Sequence, residues 1–211
     1  MGEINVQTKE KSGFGLSNNV LKIIAMVSMF IDHLGLQIFP QIKILRIIGR
    51  LALPLFAYMI AEGCFYTKNR THYLLLISAL GMLCQMVFYL TTGSLYQGIL
   101  ITFSLSILTI YCIDALLESK DWKKIFLAIL GLCFVFFVSC IMPKIFKGIG
   151  FDIDYGVLGM LLPVVIYLMP NKVLKLIACA VMLVFLAIEF GLSQYYALFA
   201  LPFLVLYNGK R

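Results

Sequence analysis

Asp32 and His33 lie side by side in an otherwise apolar run, eleven residues after Lys22, and Arg46 and Arg50 follow, four residues apart. Transfer of a group to an amine or hydroxyl needs a base to take the acceptor's proton, and an imidazole titrates near neutral pH. His33 is therefore the candidate base, or else a transient covalent carrier of the group. Arg46 and Arg50 share one helix face at this spacing. They can stabilise a developing oxyanion or hold phosphate groups. Asp32 projects to a neighbouring face of the His33 helix, where it tunes the local field or forms a salt bridge with Arg50. Lys22 and His33 are about three turns apart and share a face. Glu62 is roughly 18 Å past Arg50 on a straight helix, which places it at the opposite end of that helix. Lys22, Lys68 and Arg70 form the basic group at that end, suited to phosphate, with Glu62 to orient them. Pro54 removes the hydrogen bond that the Arg50 carbonyl would accept, predicting a break at Arg50.

Each of these residues also has a structural reading. Asp32 can hold two helices together through Arg46 or Arg50, and His33 can be a satisfied packing residue. Lys22 can snorkel to an interface. Lys68, Arg70 and His72 can be a topology signal, and Asp152 and Asp154 can cap the sixth helix.

What must position these side chains is a set of membrane helices. Of 211 residues, 62% are hydrophobic and 13% charged, with a mean hydropathy of +1.00. A soluble domain carries about 25% charged residues, so a water-facing surface could not be covered. The apolar runs lack period-2 alternation, which favours helices over an outer-membrane barrel. The expected fold is an all-α polytopic transmembrane bundle with spans at Val20–Phe39, Leu45–Tyr66, Tyr73–Leu90, Ile99–Leu117, Ile125–Ile141, Tyr155–Met169, Val173–Phe190 and Tyr195–Tyr207. That makes eight spans, or seven if the last pair is one re-entrant unit. Residues 1–18 read as a polar cytoplasmic arm, and 19–211 as a single transmembrane domain. The first apolar run has no small-residue cleavage site and reads as a retained span.

Basic residues recur at the start of the chain, in every second connection and at the end: Lys9 and Lys11, Lys68 and Arg70, Lys120 with Lys123 and Lys124, Lys172 and Lys175, then Lys210 and Arg211. The positive-inside rule places both termini in the cytoplasm. Lys43–Arg50 and Lys144 with Lys147 break this pattern. The net charge of +7 is thus mainly an orientation signal, with no basic soluble face for nucleic acid. The six cysteines form no C-x-x-C pair, so neither a metal site nor a disulfide framework is indicated. A faint internal echo links Leu51-Ala-Leu-Pro-Leu-Phe with Phe199-Ala-Leu-Pro-Phe-Leu.

Several segments in order resemble the F-pilin acetylase (TraX) family. They are Leu21-Lys22-Ile23-Ile24-Ala25-Met26, Ile31-Asp32-His33-Leu34-Gly35 and Leu45-Arg46-Ile47-Ile48-Gly49-Arg50-Leu51-Ala52-Leu53-Pro54-Leu55-Phe56. Ala61-Glu62-Gly63, Lys68-Asn69-Arg70, Asp154-Tyr155-Gly156 with Gly159, and Tyr207-Asn208-Gly209-Lys210 continue the series. The resemblance departs from the family at Gly98-Ile99-Leu100-Ile101-Thr102. It implies acetyl transfer from an acetyl-CoA donor to an acceptor at the membrane: a protein N-terminus, a glycan or a small molecule. The rival reading is a proton-coupled transporter or small-molecule binding protein that uses the same charges as a relay.

Overall fold

The computed structural model describes residues 15–210. The polar arm, with Lys9 and Lys11, and Arg211 lie outside the described residues, apart from Gly15–Asn18. Its helices are α1 (Asn18–Gln37), α2 (Lys43–Gly49), α3 (Ala52–Tyr66), α4 (Arg70–Thr92), α5 (Ile99–Glu118), α6 (Trp122–Phe136), α7 (Met142–Ile145), α8 (Gly156–Leu168), α9 (Lys172–Phe190) and α10 (Leu201–Val205). A π turn over Phe137–Ile141 joins α6 to α7, and a 3₁₀ segment, Leu192–Ala200, leads into α10.

Six helical runs are long and apolar enough to cross a membrane: Asn18–Gln37, Lys43–Tyr66, Arg70–Thr92, Ile99–Glu118, Trp122–Ile145 and Lys172–Phe190. Gly156–Leu168 and Leu192–Val205 are shorter apolar helices. Together they account for the eight expected runs, with ends displaced by a few residues. The last run manages with few residues because most of it is 3₁₀. At about 2.0 Å per residue there and about 1.5 Å in α10, it reaches roughly 25 Å against a hydrocarbon core of about 30 Å.

Around the core, Leu75, Leu90, Phe126, Leu127 and Ile188 are all more than half exposed. An apolar surface on this scale has lipid as its solvent, and the chain is a multi-pass membrane protein. The core joins Leu21 and Ala25 of α1, Leu55 and Ala61 of α3, Phe103 and Ile107 of α5, Leu162 and Ile166 of α8, and Leu183 and Leu186 of α9. Interhelical polar contacts supplement this packing. The Ser106 hydroxyl donates to the Met160 carbonyl at 2.7 Å, tying α5 to α8.

Backbone bonds bring the two ends of the described chain together. Leu16 N donates to the Leu206 carbonyl at 2.8 Å, Asn208 N to the Leu16 carbonyl at 3.0 Å, and Asn18 N to the Lys210 carbonyl at 2.8 Å. Both ends therefore lie on one face of the bundle, here called the terminal face. A shared face goes with an even number of crossings.

Helix starts differ between the two faces. On the terminal face, Ser17, Asn69, Asp121 and Asn171 cap α1, α4, α6 and α9 with side-chain oxygens. On the distal face, Ile42, Gly98, Tyr155 and Gly191 begin their elements without a side-chain cap. The capping role expected of Asp152 and Asp154 is thus not what they do.

The first hairpin is closed by glycines. Gly35 lies against Leu45, and a Cβ on Gly49 would run into the Asp32 side chain. The break expected before Pro54 is present: α2 ends at Gly49 and α3 restarts at Ala52, with Arg50 and Leu51 between them. Pro143 similarly follows the widened turn at 137–141.

Two outcomes follow from this packing. Gly49→Ala pushes Asp32 off its partner and lowers stability by about 1–3 kcal/mol, read as a lower midpoint of thermal denaturation in detergent. In a cysteine-free background, cysteines placed at Ser17 and Lys210 react with an impermeant thiol reagent from the same side of the membrane. A cysteine at Gly148 reacts from the other side, whereas an odd number of crossings would separate the first two.

Candidate active site at the distal face

The distal face collects the charges that sequence analysis singled out in the first hairpin. Arg46 Nη1 lies 2.6 Å from Asp32 Oδ2, and both side chains are only partly exposed. Asp32 therefore pairs with Arg46, which corrects the salt bridge to Arg50 expected from sequence. Position explains the choice: Asp32 sits near the end of α1, and Arg46 on the short α2 returns directly past it, while Gly49 gives Asp32 room.

Arg50 falls in the break after α2 and turns to a different element. Its Nη1 donates to the Tyr155 hydroxyl at 2.9 Å. Tyr155 is the single described non-glycine residue with positive φ, at 57°, a conformation costing of order 1 kcal/mol. Two contacts hold it there. Arg50 binds the hydroxyl, and the ring packs edge-on against Phe190 with centroids 5.7 Å apart. Gly159 is required beneath it, since a Cβ there would collide with the Tyr155 Cβ.

The preceding residue completes the cluster. Asp154 Oδ1 accepts from the Tyr96 hydroxyl at 2.8 Å, and its carbonyl accepts from Thr102 Oγ1 at 3.0 Å. The connections carrying these residues are joined through Gln97, whose N donates to the Asp152 carbonyl and whose carbonyl accepts from Asp154 N. Burial pushes the Asp154 carboxyl up from the ordinary carboxylate range, opposed by the Tyr96 hydrogen bond and the Arg50 charge, with Asp32 and His33 also acting on it.

Between α2 and the 3₁₀ segment lies a cavity of about 310 Å³. Lys43, Arg46 and Arg50 give it three cations, Ser193 and Tyr196 two hydroxyls, and Pro40 and Ile47 an apolar wall. Two buried atoms beside it, Arg50 Nε and Asp32 Oδ1, have no hydrogen-bond partner among the described residues. The Lys43–Arg50 exception to the charge pattern is thus one wall of this cavity. His33 is exposed on α1, forms no hydrogen bond among the described residues and does not line the cavity. Lys22 is exposed on the same helix.

At the other end, Glu62 and Arg70 are drawn to partners that sequence analysis did not name. Glu62 does not orient Lys22, Lys68 or Arg70; it binds Lys175 at 2.6 Å, tying α3 to α9. Arg70 Nη2 lies 2.8 Å from Asp114 Oδ2, which also accepts from the Tyr167 hydroxyl at 2.7 Å. Asp114 is buried, while the Arg70 side chain remains 43% exposed. Lys68 is exposed.

Sequence reasoning missed Asp114, although an acid within an apolar span is the signal that identified Asp32. It also missed Tyr155 as the partner of Arg50, and Lys43, Ser193 and Tyr196. The motif Asp154-Tyr155-Gly156 with Gly159 was the available signal for the first of these.

A family model described as TraX protein matches residues 17–211. Over 85 residues the chain is 36% identical to an uncharacterized protein of Rickettsia prowazekii, covering 38% of this chain and 34% of that one. Over 69 residues it is 35% identical to the probable fimbrial assembly protein FimC, serogroup H1, of Dichelobacter nodosus, covering 31% and 28% respectively. The chain thus matches about a third of the length of these curated relatives. No solved structure matches. With the family match running from the start of α1 to the last residue, the chain belongs to the TraX family.

Proposed function

We propose that this protein is a membrane acetyltransferase that moves an acetyl group from acetyl-CoA to an amine or hydroxyl. The observation that carries this reading is the distal cluster, in which Arg46 and Arg50 are held on a cavity wall by Asp32 and Tyr155. Preorganised cations of this kind stabilise the oxyanion that forms when an acceptor attacks a thioester carbonyl. In the reaction the acceptor's nitrogen or oxygen bonds to the acetyl carbon, the carbon–sulfur bond breaks, and CoA leaves as the thiol. His33 takes the acceptor's proton, in electrostatic range of Asp154.

The terminal face is the cytoplasmic one in this reading, because Lys68, Lys120, Lys123, Lys124 and Lys172 lie in or beside its connections. The membrane is the bacterial inner membrane, where a cytosolic donor reaches the terminal face. Lys22, Lys68 and the exposed part of Arg70 receive the donor's phosphates. Glu62 supports that face through Lys175 and not by touching the donor. The fimbrial assembly name of one relative and the family resemblance favour a protein N-terminus as one acceptor, with cell-envelope glycans and small molecules as the others.

The deciding assay incubates purified full-length protein with acetyl-CoA and an amine acceptor and measures free thiol. His33→Ala is expected to lower acetyl transfer by about 10²–10⁴-fold while keeping the wild-type melting temperature. A folded His33→Ala protein with the normal rate overturns its role as base. Proton-coupled uptake into vesicles without thiol release would instead support the transporter reading.

Arg70 is tested separately, since removing it alone strands the buried Asp114 carboxylate. Arg70→Gln is expected to reduce folded yield, and Arg70→Gln with Asp114→Asn to restore it. The double variant keeps a raised KM for acetyl-CoA, by about tenfold for one lost charged hydrogen bond, with kcat unchanged. An unchanged KM would make Arg70 structural only.

A further inference from the structure

The distal cavity holds more positive charge than acetyl transfer requires. One or two donors suffice to steady a tetrahedral oxyanion, and Arg46 and Arg50 already provide them. Lys43 adds a third cation from the first turn of α2, and Ser193 and Tyr196 add hydroxyl donors from the 3₁₀ segment. No carboxylate lines the cavity. The nearest acids are Asp32, whose Oδ2 is bound to Arg46, and Asp154, which receives the Tyr96 hydroxyl. Counting both, the cations still exceed the acids.

The two arginines are also fixed before any ligand arrives. Asp32 holds one nitrogen of Arg46, and Tyr155 accepts from one nitrogen of Arg50, while Arg50 Nε is buried without a partner among the described residues. A planar guanidinium held in place with donors free is suited to carboxylate or phosphate, and a lysine adds a point charge. At about 310 Å³ the cavity is at the small end of the roughly 300–1,000 Å³ range of small-molecule sites. It admits one compact group and not the nucleotide of CoA.

We propose that the acceptor carries a compact oxyanion, a carboxylate or phosphate, beside the amine or hydroxyl that is acetylated, and that Lys43 binds it, leaving Arg46 and Arg50 to the reacting carbonyl. This deepens the acetyltransferase reading and rests on it. The cavity recognises the acceptor's acidic group, and specificity for acidic over neutral acceptors resides in Lys43, a residue outside the transfer chemistry. Ser193 and Tyr196 complete the donor set from the opposite wall.

The test compares glucosamine 6-phosphate with glucosamine, which offer the same amine with and without the oxyanion. Binding is measured calorimetrically on the full-length protein in phosphatidylcholine nanodiscs, without acetyl-CoA. The expected result is at least tenfold tighter binding of the phosphate, competition by inorganic phosphate, and a loss of about tenfold in Lys43→Gln for the phosphate alone. Equal affinity for the two sugars, or an unchanged Lys43→Gln protein, overturns the proposal. Displacement of the sugar phosphate when phosphatidylglycerol replaces phosphatidylcholine assigns the cavity to a lipid headgroup and also overturns it. Because binding is read without turnover, failure here is distinct from failure of the His33→Ala transfer assay.

Discussion

A charged side chain at membrane depth must be compensated by the protein, because lipid offers it nothing. In this bundle each such compensation joins two different elements. Asp32 with Arg46 joins α1 to α2, and Arg50 with Tyr155 joins the break after α2 to the start of α8. Glu62 with Lys175 joins α3 to α9, and Arg70 with Asp114 joins α4 to α5, with Tyr167 of α8 bonded to the same acid. Apolar packing lets helices slide and rotate at little cost. These pairs set which helices are neighbours, and they fix the depth at which each neighbour sits.

The same constraint separates the two faces by chemistry. Near the terminal face, Glu62 and Asp114 are each matched by a cation, and the helix starts are capped by side chains. At the distal face the caps are absent, Tyr155 is held in a left-handed conformation, and cations outnumber the acids around the cavity. A surface built for stability alone would not combine strain, unpaired buried atoms and excess charge in one place. That combination is the ground on which we propose the distal face as the working end.

The spans were legible because hydropathy depends on composition over a long window, which tolerates errors of a few residues. The break at Arg50 was legible because Pro54 acts on a defined carbonyl four residues earlier. The gathering of Asp32, Arg46 and Arg50 was legible because a short hairpin leaves them few other places. Partner choice was not. Whether Asp32 meets Arg46 or Arg50 depends on the helix ending at Gly49, which turns the second arginine away by itself. The pairings across 105 residues to Tyr155 and across 113 residues to Glu62 depend on tertiary neighbours that no local pattern encodes. Asp114 was overlooked for the same reason, since its partner Tyr167 stands 53 residues on.

The bonds between Leu16 and the Leu206–Asn208 segment have a meaning for biogenesis. In order of synthesis, α1 precedes every other described helix, and the residues that tie down its start follow all of them. Until then, Leu21 and Ala25 have part of their core neighbours but the backbone at Leu16 has no ladder to join. The first span therefore waits, inserted but unlatched, through the making of every other one. A ribosome that stops before α10 leaves a chain with its charges paired and its ends open, a state that a membrane protease can tell from the finished protein.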